Sequence, residues 1–321
     1  MTAVTHFLNV TKRYCDATLS NKTLLQSLRD VDIIVGNAVY VCSVLIPEVV
    51  QKPFINVEFG GDIFGLYTFY GKYRPASLVP NFLMFYSPKM AFWQRLGNMV
   101  AKITLETLVK HSCINIADSL RYKHNISLHS SLDELGRKMS MFVSTQDFSI
   151  EIPRSLPPHV QLIGPLLAQP SSPLPPVYED FIQSSQHGAI LICFGSELRI
   201  KDEQLPELIK ALSQLPYHFI WKTKRLIKNL PSNVKTFQWV PQNDILGHNK
   251  TLAFITHCGA NSVYEGAYHE VPIMCMPTMI EQQFNAIRVV RAGIGILMGK
   301  FFSFKADDII NGIKTIISNN K

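Results

Sequence analysis

The stretch ITHCGANSVYEGAYHEVP, residues 255–272, contains the pattern from which we predict the fold. It begins as an apolar run typical of a strand, breaks at a His-Cys-Gly turn, and continues as a helix that opens with Asn and Ser. Four polar side chains surround this single corner: His257, Asn261, Ser262 and Glu265. A turn requires fewer polar groups than this, so we expect the corner to bind a ligand.

Strand-length apolar runs alternate with longer periodic segments on both sides of this corner. In the second half the predicted strands are GAILICF (188–194), YHFIWKT (217–223), NVKTFQW (233–239), LAFITH (252–257) and PIMCMP (272–277), and the predicted helices cover 202–215, 261–269 and 281–293. The first half has predicted strands at 32–39, 53–59 and 138–145 and an amphipathic helical region at 89–111. This alternation predicts an α/β fold with parallel, doubly wound sheets.

A proline-rich segment divides the chain. PLLAQPSSPLPP, residues 165–176, contains five prolines in twelve residues, a composition that excludes helix and central strand. We therefore predict a first domain over residues 1–164, an extended linker over 165–187 and a second domain over 188–321.

The charge balance favours a small anionic ligand over nucleic acid. The net charge is +7, from 31 Lys and Arg against 24 Asp and Glu. The densest basic cluster consists of Lys222, Lys224, Arg225 and Lys228, with no aromatic residues between them. Such a cluster is typical of a solvated surface. We expect no nucleic-acid partner.

The cysteines are scattered, without a CxxC pair, and this spacing supports neither a zinc site nor a disulfide framework. Cys193, Cys258 and Cys275 lie in or beside apolar strands, where we expect buried free thiols.

No segment of the sequence predicts a membrane span. The longest uncharged apolar run, residues 33–47, is too short for a bilayer and contains Gly and Asn. The N-terminus lacks the apolar core of a signal peptide, so we expect the chain as given to be soluble. Glycosylation sequons at Asn9, Asn21, Asn125 and Asn249 are compatible with a luminal location.

The side chains around the corner fit the parts of a nucleotide sugar. In a parallel sheet, ligands lie beyond the carboxyl ends of the strands, where helix N-termini bind phosphate. Asn261 and Ser262 can donate to phosphate oxygens, and His257 can add a hydrogen bond. A carboxylate beside a diphosphate would repel it, so we expect Glu265, one turn along the helix, to accept hydrogen bonds from ribose hydroxyls.

Two flanking segments extend this interpretation. WVPQNDILGH, residues 239–248, follows a predicted strand, and its Trp239 offers a flat surface to a base, with Gln242 on the next turn. PTMIEQQFN, residues 277–285, follows the next strand along. Its Glu281 and Gln282 form an acceptor-and-amide pair suited to sugar hydroxyls.

The order of these motifs resembles the signature of the UDP-glycosyltransferases, most closely the animal UDP-glucuronosyltransferase branch. The motifs are Trp-x-Pro-Gln, His-x-Gly-x-Asn-Ser-x-x-Glu and Pro-x-x-x-Glu-Gln-x-x-Asn, and GAILICFGS resembles the family's Gly-Ser loop. The resemblance implies a GT-B fold of two Rossmann-like doubly wound domains facing a cleft. It also implies UDP binding by Ser196, Trp239, Gln242, His257, Asn261, Ser262 and Glu265, and sugar binding by Glu281 and Gln282.

The implied reaction transfers a hexosyl group, with glucuronosyl expected, from a UDP-sugar to a small lipophilic hydroxyl-bearing acceptor with inversion. The UDP-sugar is a co-substrate, and we expect no cofactor. We also expect no metal, because a helix tip can offset diphosphate charge. The resemblance further implies the luminal side of the endoplasmic reticulum membrane. A nicotinamide-dependent oxidoreductase is disfavoured, since GIGILMG, residues 293–299, does not lie between a strand and a helix as a dinucleotide loop requires.

The chain also departs from the family pattern. The family's catalytic histidine and membrane anchor are expected in segments before and after this chain, so that the first domain would be N-terminally truncated. Asn37 occupies the position of the aspartate that orients this histidine, and Cys258 replaces a glycine. No catalytic residue is therefore assigned, and the alternative is a non-catalytic, truncated UDP-sugar-binding protein. We expect the chain as given to bind UDP without transferring sugar.

Overall fold

Two parallel sheets form from the apolar runs of the sequence, one in each of two compact units, Met1–Gly164 and Pro165–Lys321. The computed structural model describes residues 2–58, 75–81, 84, 86–195, 200–299 and 303–318, with side chains from residue 8 onward. Among the helices formed by these residues, none combines the length and the apolar composition that a bilayer crossing requires.

The first unit contains a four-stranded parallel sheet. Its strands are β1 (Ile34–Asn37), β2 (Phe54–Glu58), β3 (Met141–Ser144) and β4 (Val160–Leu162), hydrogen-bonded in that order. Its helices are α1 (Thr2–Ser20), α2 (Lys22–Ser27), α3 (Cys42–Val50), α4 (Phe92–His124) and α5 (Leu132–Arg137). The core side chains that pack between sheet and helices include Leu45, Phe54, Leu120 and Phe142.

The second unit contains a six-stranded parallel sheet. Its strands are β5 (Ala189–Cys193), β6 (His218–Lys222), β7 (Val234–Phe237), β8 (Thr251–Thr256), β9 (Ile273–Cys275) and β10 (Gly295–Leu297). Its helices are α6 (Pro176–Gln183), α7 (Leu205–Ser213), α8 (Gln242–Leu246), α9 (Ala260–Tyr268), α10 (Ile280–Ala292) and α11 (Ala306–Ser318). The predicted α/β class with parallel sheets is confirmed.

The strand order of the second sheet positions a ligand site. The order is β10-β9-β8-β5-β6-β7, so the chain runs outward from β5 in one direction and then outward from β8 in the other. Every residue of β5 is buried, as expected of a central parallel strand covered on both faces. The order therefore reverses between β5 and β8. In open α/β sheets, ligands bind beyond the carboxyl ends of the strands at this reversal.

The structure corrects the predicted linker over residues 165–187. Pro176–Gln183 form helix α6, whose Tyr178, Phe181 and Ile182 lie in the core of the second unit. The prolines do not prevent this helix, because proline is compatible with its first turn. Apolar residues at positions i, i+3 and i+4 then provide a buried face.

The structure also corrects the expectation of free thiols at Cys258 and Cys275. These residues form a disulfide, and a second disulfide joins Cys15 to Cys42. The sequence spacing gave no indication of either pair, because each depends on which strands and helices are neighbours. Cys193 is a buried free thiol, as predicted.

Candidate functional site

The corner between β8 and α9 has the geometry of an anion site. Strand β8 ends at Thr256, and the nine-residue helix α9 begins at Ala260, preceded by Gly259 as its N-cap. Glycine has no side chain that could bond the N–H groups of the first helical turn. The first turn also has no acidic residue, so its N–H groups and the helix dipole favour a negatively charged ligand.

Two glycines leave room for the imidazole of His257. A Cβ atom at Gly195 would lie 3.0 Å from His257 Nε2, and a Cβ atom at Gly259 would lie 2.8 Å from it. The Nδ1 atom of the same ring lies 3.2 Å from the hydroxyl of Thr256. The ring therefore occupies a space between the loops that follow β5 and β8.

Burial lowers the pKa of His257 below its ordinary value of 6.5. A hydrogen bond with the backbone of Cys193 opposes this effect, and the charge of Lys222 adds to it. The imidazole is thus neutral at neutral pH in the ligand-free protein. In this form it can donate a hydrogen bond to a diphosphate without first carrying a full positive charge.

Replacing Gly259 with alanine is expected to weaken UDP binding about 2- to 10-fold, because the new methyl group would displace the His257 ring from its position and lose one hydrogen bond. Calorimetric titration with UDP checks this. Gly299 is the matched control, because a Cβ atom there meets nothing within 4 Å. Equal UDP affinities of the two folded variants would contradict the placement of His257 at the ligand.

Gln242, Ser262 and Glu265 form one hydrogen-bonded network. Gln242 is the first residue of α8, and its amide nitrogen lies 3.2 Å from Ser262 Oγ and donates to the Glu265 carboxylate. Ser262 and Glu265 are each only 7% exposed. Burial raises the pKa of Glu265 above its ordinary value of 4.5, while the Gln242 hydrogen bond and the charge of Lys222 oppose this shift. The predicted phosphate and ribose contacts thus lie side by side.

Trp239 has an exposed ring on an anchored backbone. It lies between β7 and α8, three residues before Gln242, and its side chain is 65% exposed. Its carbonyl oxygen accepts a hydrogen bond of 2.9 Å from the hydroxyl of Tyr178 on α6. The indole face is therefore accessible to a planar base.

The predicted sugar-binding pair lies at the start of α10. The carbonyl oxygen of the Gln282 side chain accepts hydrogen bonds of 2.9 to 3.1 Å from Thr278 and from the Met279 N–H, so it caps the helix. Its donor to a sugar hydroxyl would be the amide nitrogen. Burial raises the pKa of Glu281, and a hydrogen bond from Asn285 and the charge of Arg288 oppose the shift.

The remaining predicted residues are not part of the hydrogen-bonded network described above. Asn261 lies exposed in the first turn of α9. Ser196 lies outside the residues that the structure describes. In the first unit, Asn37 ends β1, and its side-chain oxygen accepts a hydrogen bond of 3.1 Å from the Val39 N–H.

The structure shows two interactions near the site that the sequence does not indicate. The sequence predicts that Lys222 belongs to a solvated basic cluster. In the structure it ends β6, where its ladder partner is Cys193 of β5, and its charge acts on both His257 and Glu265. Asn285 donates to the carbonyl oxygen of Cys258 over 3.0 Å and links α10 to the β8–α9 corner. The sequence feature that could have indicated a role for Lys222 is its position at the end of a predicted strand, because the carboxyl ends of parallel strands face the ligand site.

No three His, Cys, Asp or Glu side chains come together as a potential metal-binding group within the described ranges. The expected absence of a metal stays a prediction.

Residues 1–321 match the family described as "UDP-glucoronosyl and UDP-glucosyl transferase". The chain belongs to this family. It is 31% identical to UDP-glucuronosyltransferase 2B23 of Macaca fascicularis, over 98% of this chain and 60% of that protein. It is 32% identical to UDP-glucuronosyltransferase 1-2 of Rattus norvegicus, over 99% of this chain and 60% of that protein. The chain thus spans about three fifths of the length of these relatives.

Solved glycosyltransferases share the fold. The calicheamicin glycosyltransferase CalG4 superposes with a TM-score of 0.67 at 16% identity, over 99% of this chain and 76% of that one. A UDP-glucosyltransferase from Polygonum tinctorium superposes with a TM-score of 0.62 at 18% identity, over 96% of this chain and 76% of that one. These similarities confirm the predicted GT-B fold class.

Proposed function

We propose that the protein is a UDP-dependent glycosyltransferase that transfers a hexosyl group, expected to be glucuronosyl, to a small lipophilic hydroxyl-bearing acceptor with inversion. The observation that carries the proposal is the hydrogen-bonded network of Gln242, Ser262 and Glu265 directly beside the N-terminus of α9. It combines a phosphate-binding helix tip with a buried carboxylate suited to a ribose.

We assign the donor roles along successive strands of the second sheet. Trp239 would stack on the uracil, and Glu265 would accept from the ribose hydroxyls. The N–H groups of α9, with Asn261, Ser262 and His257, would bind the diphosphate. In the segment that follows β9, Glu281 and Gln282 would bind the sugar hydroxyls. Gln242 would hold Ser262 and Glu265 in place and contribute to UDP binding. Ser196 is also proposed to contribute to UDP binding.

In the proposed reaction, the acceptor oxygen attacks the anomeric carbon while the bond from that carbon to the diphosphate oxygen breaks. The electron pair of the broken bond moves to UDP, and α9 and His257 stabilise the resulting charge. The acceptor proton passes to a general base, for which we propose a histidine. Asn37 would orient this histidine, although an amide does not stabilise a protonated imidazole as a carboxylate does.

The domain roles and the surroundings are part of the proposal. Residues 1–164 would form the acceptor-side domain and 165–321, which include helix α6, the donor domain, with neither a cofactor nor a metal. A location on the luminal side of the endoplasmic reticulum fits the two disulfides, because disulfides persist in oxidising compartments.

The test is calorimetric titration of the protein with UDP, ADP and NAD, followed by transfer assays with three UDP-sugars. We expect UDP to bind more tightly than ADP, and NAD not to bind. The donors are UDP-glucuronic acid, UDP-glucose and UDP-galactose, each with a panel of phenols and steroids. Binding of UDP without any glycoside product would favour the non-catalytic UDP-sugar-binding alternative, which the amide at Asn37 supports. Absence of UDP binding would contradict the proposal.

A further inference from the structure

The disulfide between Cys258 and Cys275 lies at the junction of the two loops that form the candidate donor site. Cys258 lies between His257 and Gly259, the N-cap of α9. Cys275 is the last residue of β9, five positions before α10 begins at Ile280. In the parallel ladder, Thr256 of β8 lies opposite Cys275 of β9. This register brings the two cysteine Cα atoms within 5.5 Å.

We propose that this disulfide is a positioning element of the donor site, which holds the phosphate-binding corner at a fixed distance from the sugar-binding start of α10. The inference rests on the donor roles proposed above. It concerns Cys258 and Cys275, which make no contact with the donor in that proposal. It predicts that loss of the disulfide changes the affinity for UDP-sugars more than the affinity for UDP.

The backbone of the corner needs such support. Cys258 has a φ of +62°, a left-handed conformation that is unfavourable for residues with a Cβ atom. Its side chain is fully buried and faces β9, to which the disulfide joins it. A glycine would adopt this turn without strain, but it could form no covalent link. Cys258 therefore places a Cβ atom in an unfavourable backbone conformation, and it also provides the sulfur atom that links the turn after β8 covalently to β9.

A second connection joins the same corner to α10. The buried amide of Asn285 donates both to the carbonyl oxygen of Cys258, over 3.0 Å, and to the carboxylate of Glu281. The corner is therefore linked through its sulfur atom to the end of β9 and through its carbonyl oxygen to α10. Any movement of the phosphate-binding turn away from Glu281 has to break one of these links.

The expected consequence is selective. UDP occupies the phosphate-binding corner and the network on its α8 side, whereas a UDP-sugar must contact the corner and α10 at the same time. Loss of the disulfide lets these two parts move relative to each other. We expect the affinity for UDP-glucuronic acid and UDP-glucose to fall about 5- to 10-fold and the affinity for UDP to fall less than about 2-fold, because preorganisation is lost only for the ligand that spans both parts.

The experiment compares three double variants by calorimetric titration with UDP, UDP-glucuronic acid and UDP-glucose. Cys258→Ala with Cys275→Ala removes the link and keeps a Cβ atom in the left-handed turn. Cys258→Gly with Cys275→Ala removes the link and leaves an unstrained turn. Cys15→Ala with Cys42→Ala is the control, since it removes the other disulfide, which lies in the first unit.

The selective loss is expected in both Cys258 variants and not in the control, with far-UV circular dichroism showing that each is folded. If the glycine variant recovered wild-type affinity for both UDP-sugars, the disulfide would serve only the local turn and the inference would be wrong. Equal losses for UDP and the UDP-sugars would also overturn it. Failure of the wild-type protein to bind UDP would instead refute the proposed donor site, and this inference with it.

Discussion

Replacing Trp239 with alanine is expected to weaken UDP binding by about 1–3 kcal/mol, or roughly 5- to 150-fold, the range found for stacking of a base on an aromatic side chain. The indole is 65% exposed, and so its removal creates no cavity in the core. The hydrogen bond from Tyr178 to the Trp239 carbonyl involves only the backbone and survives the substitution. Calorimetry with UDP on the folded variant measures the loss.

Two comparisons make the Trp239 experiment specific. Trp93 on α4 is 75% exposed, in the first unit, so Trp93→Ala controls for the loss of an exposed indole. Inorganic pyrophosphate lacks a base, and its binding should therefore be the same in Trp239→Ala and in wild type. Unchanged UDP affinity in Trp239→Ala, or a parallel loss for pyrophosphate, would show that this ring does not stack on the uracil.

The β8–α9 corner could be predicted because its signal is local. An apolar strand, a glycine next to the break and a polar helix start all occur within the eighteen residues 255–272. The structure contains the strand, turn and helix there, with the strand ending at Thr256 and the helix beginning at Ala260. Strand β5 was equally accessible, since a continuous apolar run bounded by glycines is typical of a central parallel strand.

Features that depend on neighbours in space could not be predicted in this way. The disulfide between Cys258 and Cys275 requires β8 and β9 to be adjacent and in register, which neither segment encodes alone. The same holds for the bond from Asn285 to the Cys258 carbonyl. Asn285 is part of the sequence motif, but its bond to the Cys258 carbonyl depends on the packing of α10 against the corner.

Short and compositionally ambiguous elements were also missed. The three-residue strands β4 and β10 carry too few residues for a periodic pattern. Helix α6 was hidden by the prolines before it, because their composition indicated a linker until the buried positions of Tyr178, Phe181 and Ile182 were known. Helix α11 has a regular apolar face, with Ile309, Ile313 and Ile316 buried, a spacing from which an amphipathic helix could be predicted.

Replacing Glu265 with glutamine is expected to stabilise the ligand-free protein at neutral pH. Burial raises the pKa of Glu265 above 4.5, so between pH 4.5 and the folded-state pKa the native protein keeps a proton that the unfolded chain has lost. Stability therefore falls as the pH rises through this window, and the full penalty is present above it. Glutamine does not ionise, so the thermal midpoint at pH 7 should rise, by about 2–4 °C for each kcal/mol gained in a domain of this size.

Exposed Glu203 is the matched control for this stability change. Glu203→Gln should leave the thermal midpoint unchanged at pH 7, because a solvated carboxylate carries no burial penalty. The advantage of Glu265→Gln should also shrink below pH 4.5, where the carboxyl group is protonated in both the folded and the unfolded state. A midpoint that is lower than that of the wild type at pH 7 would show that the charged carboxylate stabilises the ligand-free fold.

The same substitution is expected to weaken UDP binding by about 1–2 kcal/mol, or roughly 5- to 30-fold, because a charge-assisted hydrogen bond to a hydroxyl becomes a neutral one. The loss should be much smaller for 2′,3′-dideoxy-UDP, which lacks the two hydroxyls that the carboxylate would accept from. Gln242 can still donate to the new amide oxygen, so the network with Ser262 is retained. Calorimetric titration of Glu265→Gln and Glu203→Gln with UDP and with 2′,3′-dideoxy-UDP measures the loss of affinity for each nucleotide. Equal losses for UDP and its dideoxy analogue would mean that Glu265 does not bind the ribose, and greater stability without a loss of affinity would make its burial a purely structural feature.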